Sequence, residues 1–154
     1  MEKTLIITQF VKAPIDVAFD TFTNNETYLK IFGVTESTVL KLGKNNQANT
    51  VGAIRKVRIG PLFLKEQVID YERPFVWKYK FIDWSMPFTH LGGSMCFEEQ
   101  NNGTLVTWDS TMRAENIGSK TLLSFTSFIN ENGLKIVANQ IAKIAENKYK
   151  TQQI

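Results

Sequence analysis

The sequence predicts an α+β fold in which a curved antiparallel sheet of about seven strands, with two short helices after the first strand, wraps a long C-terminal helix. Three observations predict it. Segments with strand-like alternation and β-branched enrichment fill most of the chain up to Ala114. The separators after the second strand are too short to hold a crossover helix, so neighbouring strands must run antiparallel. From about Ser119 the apolar residues change to a helical period. A sheet that curves around a helix encloses an apolar hollow between them.

The first strand covers residues 3–12, where apolar and polar residues alternate; Ala13-Pro14 stops it and sets Pro14 in the first turn of a helix. Ile15, Val17, Ala18, Phe19 and Phe22 give that helix one apolar face. Asn24-Asn25 ends it, and a second short helix is expected over 26–32. Strands then follow at 34–42, 51–60, 62–71, 75–83, 88–98 and 104–114. Their separators are a polar loop at 43–49, the tight turn Gly60-Pro61, two proline-containing turns at 72–74 and 85–87, and the hairpin signal Asn101-Asn102-Gly103. The final helix spans about 119–148 and carries Leu122, Phe125, Ile129, Ile136, Val137, Ile141 and Ile144 on one face. Gly133 lies in its middle, where glycine costs about 1 kcal/mol relative to alanine, which predicts a kink or a close backbone approach.

At 154 residues the chain fits one domain, 1–154, able to bury a core without disulfides or metals. Its 18 basic and 15 acidic side chains leave a net charge of only +3, which disfavours nucleic acid and limits membrane contact to a transient one. Residues 1–10 lack the pattern of a signal peptide, and Cys96 is the lone cysteine, so a reducing, cytoplasmic setting is expected. No phosphate loop, dinucleotide fingerprint, nucleophile elbow or zinc spacing occurs, and no cofactor is expected.

If Gly60-Pro61 is a two-residue hairpin loop, Ile59 faces Leu62, Val57 faces Leu64, Arg55 faces Glu66 and Ala53 faces Val68. The other face then sets Lys56 beside Lys65, a repulsion tolerable only in water, so Arg55 and Glu66 point inward. A four-residue turn at 71–74 would place Trp77 opposite Val68 and Tyr79 opposite Glu66, joining Arg55, Glu66 and Tyr79 into a polar patch that could orient one end of a ligand. The competing reading is a satisfied ion pair with no ligand role. Phe75, Trp77, Tyr79 and Phe81 alternate with residues that include Lys78 and Lys80, which turns the aromatics inward; Met95, Phe97, Val106 and Trp108 share a face in the same way. The face of His90 is open, because Gly92-Gly93 could form a bulge that reverses the alternation. Cys96 falls between Met95 and Phe97 and reads as outward or packed, not as a nucleophile.

The segments Val11-Lys12-Ala13-Pro14-Ile15-Asp16-Val17-Ala18-Phe19 and Val51-Gly52-Ala53-Ile54-Arg55-Lys56-Val57, with the order of elements, resemble the START-like (SRPBCC) superfamily, which includes polyketide cyclase/dehydratase-like proteins. Glu66-Gln67-Val68-Ile69-Asp70-Tyr71-Glu72-Arg73-Pro74 and Gly103-Thr104-Leu105-Val106-Thr107-Trp108 look like its hairpin segments, and the resemblance covers nearly the whole chain. It implies a helix-grip fold with a cavity between sheet and helix. The expected function is binding or carriage of a hydrophobic or aromatic, lipid-like small molecule. Contacts are expected from Trp77, Tyr79, His90, Trp108, Phe125 and Ile129, with Arg55 and Glu66 at a polar end. Two alternatives stand beside it: a cyclase, dehydratase or hydrolase in which Glu66, Tyr79 or His90 handles protons, and an interaction module with a filled interior. Oligomeric state is left open.

Overall fold

The computed structural model describes residues 1–153, with the side chains at 125 and 127–129 outside that description. Its elements are β1 (Glu2–Val11), α1 (Ile15–Thr23), α2 (Asn25–Tyr28), β2 (Val34–Lys41), β3 (Ile54–Ile59), β4 (Leu62–Glu72), β5 (Val76–Trp84), β6 (Thr89–Gln100), β7 (Gly103–Arg113) and α3 (Ile117–Gln152). The strands form one sheet in the order β1-β7-β6-β5-β4-β3-β2, antiparallel throughout. Strands β2 to β7 are thus a meander, and β1 returns to flank the last of them. No described helix is long and apolar enough to cross a membrane.

Pro14 caps α1 from outside, its carbonyl accepting from the Ala18 amide at 3.0 Å, and Ile15, Ala18, Phe19 and Phe22 are buried beneath. Helix α3 begins two residues earlier than its apolar period suggests. Asn116 accepts from the Ser119 amide at 2.8 Å and donates its own amide to Ser119 Oγ at 3.2 Å, a reciprocal cap. Around Gly133 the helix runs uninterrupted and a Cβ there would meet open space, so neither a break nor a close approach explains that glycine. The buried stripe of α3 also differs from the expected one: Ala138, Ile141, Ala142 and Ala145 are buried, while Leu122 and Ile136 are exposed. Alanines at i, i+4 and i+7 let the helix lie close to the sheet and α1, a contact that longer side chains would hold apart.

The hydrophobic interior divides in two. The main core joins α1, the inward residues of β4 to β7 and the C-terminal half of α3. A second cluster at the other end of the sheet contains Leu5, Phe88, Met112, Ala114 and Leu123.

Candidate functional site

Between these two clusters lies a cavity of about 220 Å³, walled almost entirely by apolar groups. Leu5 and Met112 close one end, Tyr79, Met95 and Trp108 the other, and Leu134 and Val137 of α3 form the roof. Ile59 and Leu62, at the tip of the β3–β4 hairpin, line it while remaining partly exposed, which places a mouth there. The Gly60 amide donates to Gly33 C=O at 3.2 Å and ties this tip to the segment after α2, where Phe32 is 92% exposed.

Arg55 and Glu66 pair as the hairpin register requires, and the outward Lys56 and Lys65 sit opposite each other with Glu36 and Asp83 as neutralising neighbours. Arg55 is 1% exposed. Its Nε and Nη2 both donate to Glu66 Oε1, at 2.9 and 2.6 Å, its Nη1 donates to Thr23 C=O at 2.5 Å, and its guanidinium lies 4.8 Å from the Trp77 ring. The guanidinium therefore sits behind the carboxylate, outside the cavity lining, and Glu66 is the member of the pair that lines it. Glu66 Oε2 has no hydrogen-bond partner among the described residues.

Tyr79 does not complete this patch. The β4–β5 register sets Tyr79 opposite Val68, Trp77 opposite Tyr71 and Phe81 opposite Glu66. The expected four-residue turn is replaced by pairing up to Glu72↔Val76 and a bulge between Val68 and Asp70, where Ile69 is the extra residue. Phe75 falls in the turn before β5 and is exposed, against the expectation from alternation. Tyr79 instead donates its hydroxyl to Asp109 C=O at 3.1 Å and accepts from Trp108 Nε1 at 2.8 Å. Burial pushes its phenol well above the ordinary range, against the lowering effect of the neighbouring Trp108 indole and Ser110 hydroxyl. Tyr28, whose hydroxyl donates to Phe22 C=O at 3.0 Å, is raised by burial and then by the Glu66 charge. Gly93 makes room for the Tyr79 ring, since a Cβ there would collide with its Cζ and Oη.

The register shift between His90 and Gly92 turns His90 inward, to 2% exposure. Strands β5 and β6 pair only as far as Tyr79↔Gly93, and beyond that point His90 fills the widening seam. Its Nδ1 accepts from the Phe81 amide at 2.9 Å and its Nε2 lies 2.8 Å from Ser110 Oγ. An acceptor at Nδ1 assigns the neutral Nε2–H tautomer, donating to Ser110. The ring stacks on Phe81 at 3.9 Å between centroids and on Tyr79 at 5.5 Å. Burial, helped by the Lys80 charge, lowers its pKa to about 4.

Of the residues expected at the site, Glu66, Tyr79 and Trp108 line the cavity. Arg55, Trp77 and His90 stand behind its wall, and the side chains of Phe125 and Ile129 lie outside the described residues. Tyr28, Ser110, Leu134 and Val137 line it without having been singled out as contacts. Val137 carried the helical period, and Ser110 shares the inward parity of Val106 and Trp108, the one sequence signal that points to it.

A search of the curated proteins gives no match. Among solved structures, the aromatase/cyclase Zhui from Streptomyces sp. R1128 superposes with a TM-score of 0.75 at 15% identity, covering 96% of each chain. A norcoclaurine synthase point mutant from Thalictrum flavum, in complex with a transition-state analogue, gives 0.73 at 13% identity, again over 96% of each chain. Ara h 8.0201 gives 0.68 at 9% identity, over 94% of this chain and 98% of that one. At these identities the likeness is one of fold. The sequence profile of the family described as polyketide cyclase / dehydrase and lipid transport matches residues 5–141, and with that span of the chain matched, the protein belongs to this family.

Proposed function

We propose that this protein binds and carries a hydrophobic or aromatic small molecule in the cavity between sheet and α3. The observation that carries the reading is a hollow of about 220 Å³ with an apolar lining and a single free carboxylate oxygen. An apolar cavity of about 150 Å³ stays dry and accepts benzene, so this one suits a fused bicycle or a ring with a short substituent. The family description, which includes lipid transport, supports carriage. A ligand at a hundredfold excess over Kd stabilises the fold by about 2.7 kcal/mol, which for a chain of this length raises Tm by roughly 5–10 °C. Naphthalene and 2-naphthol are expected to produce such a shift by calorimetry. No shift with any apolar probe of this size refutes carriage in the cavity.

A second reading, a cyclase or dehydratase, is favoured by one feature: Glu66 lines the cavity with only its Oε1 engaged by Arg55, which leaves Oε2 able to take a proton from a bound molecule. His90 is not placed for that work, since both ring nitrogens are engaged behind the wall. Turnover of a candidate polyketide-like substrate that survives Glu66→Gln excludes Glu66 as the base.

A further inference from the structure

We infer that the ligand carries a neutral hydrogen-bond donor, a phenol or alcohol, at the end that reaches Glu66, and that carboxylate-ended molecules are turned away. This rests on the cavity reading above and names the chemistry that the same cavity selects.

The lining offers few polar atoms, and nearly all are engaged within the protein. Tyr28 is held by Phe22 C=O, Tyr79 by Asp109 C=O and the Trp108 indole, and Ser110 by His90. Ser85 is exposed and accepts from the Phe63 amide, and Asn130 is a half-buried neutral amide on α3. Glu66 Oε2 is left as an acceptor on an otherwise apolar wall. The Glu66 side chain keeps 11% of its surface, so a water-sized molecule reaches this oxygen while the cavity is empty. A ligand that fills the space keeps the oxygen satisfied if it supplies an O–H or N–H, while one that supplies only lone pairs leaves it without a partner at a cost.

Charge decides between kinds of donor. Arg55 already balances Glu66, with three of its N–H groups engaged and the guanidinium behind the wall. An ammonium would therefore add an unbalanced cation to an apolar cavity, and a carboxylate would bring an anion up to the exposed side of Glu66 with the arginine out of reach. A neutral hydroxyl avoids both costs and still makes a charge-assisted bond.

The test uses five probes on one bicyclic frame, measured by isothermal titration calorimetry at pH 7: naphthalene, 2-naphthol, 2-methoxynaphthalene, 2-naphthylmethylammonium and 2-naphthoate. For the wild type, 2-naphthol is expected to bind roughly tenfold more tightly than 2-methoxynaphthalene, with the two ions weakest. In Glu66→Gln the amide oxygen stays on Arg55 and the NH₂ turns to the cavity, so the preference is expected to invert toward 2-methoxynaphthalene. Should that variant fold poorly, the paired replacement of Arg55 by Met and Glu66 by Leu removes the whole ion pair and is expected to bind both neutral ethers and phenols equally. Equal binding of 2-naphthol and 2-methoxynaphthalene to the wild type overturns the donor inference while leaving the cavity reading intact. Tightest binding by the ammonium overturns its neutral part, and 2-naphthoate binding as well as 2-naphthol overturns its exclusion of anions. Failure of all five, naphthalene included, refutes the cavity reading itself.

Discussion

Arg55 and His90 are both buried, and they respond to perturbation in opposite ways. Arg55 is ionised and depends on Glu66, so removing either partner alone strands a buried charge. Arg55→Ala or Glu66→Ala is expected to lose about 3–5 kcal/mol in urea unfolding, whereas the paired replacement by Met and Leu stays within about 1–2 kcal/mol of the wild type. His90 is held neutral, with a folded pKa of about 4 against an ordinary 6.5. Between these values the unfolded chain binds the extra proton, so stability is full above about pH 6.5 and falls as pH drops toward 4. The loss amounts to at most about 3 kcal/mol. His90→Gln is expected to flatten the urea midpoint between pH 6.5 and 4.5; a midpoint that falls as steeply in the variant assigns the acid sensitivity to other groups. The ion pair was legible in the sequence, whereas the inward turn of His90 was not, because it depends on the irregularity between His90 and Gly92. The hairpin register brought Arg55 and Glu66 together on paper, but which of the two faced the hollow depended on how deep α1 sat, since Thr23 C=O draws the guanidinium away.

At the scale of elements, the strands were legible because alternation and turn residues repeat the same information, and the Gly60-Pro61 hairpin register follows from two residues. The β4–β5 register was not legible. One extra residue at Ile69, with half its surface exposed, is chemically indistinguishable from its neighbours and shifts the pairings of Val68, Gln67 and Glu66, until an extra residue at Ile82 on β5 restores the register. Helix α3 shows the same limit in another form. Its buried face is built largely from alanines, which carry little hydropathy signal, while the strongly apolar Ile136 points to solvent at 60% exposure. Ala142→Leu is accordingly expected to cost about 1–3 kcal/mol by forcing the helix off α1 and the sheet, and Ile136→Ser to stay within about 0.5 kcal/mol of the wild type. Thermal denaturation of the two variants side by side checks the assignment of the faces.

For the whole molecule the hollow is a stability deficit. At roughly 24 cal/mol per Å³, an unfilled volume of about 220 Å³ stands for roughly 5 kcal/mol that a solid interior would retain. Leu134→Trp, on the roof, is expected to recover about 1 kcal/mol or more and to abolish binding of 2-naphthol, a trade that calorimetry reads on both sides at once. A variant that gains stability and still binds would move the ligand elsewhere. The Phe81 amide, finally, is an unusual proton. It lies past the last β5–β6 pair, where a ladder would leave it to solvent, yet it is held by the imidazole instead of a carbonyl. In hydrogen exchange its protection, taken relative to the intrinsic rate at each pH, should therefore be high at neutral pH and be lost once the ring is protonated, so this single amide reports the opening of the seam beside the cavity.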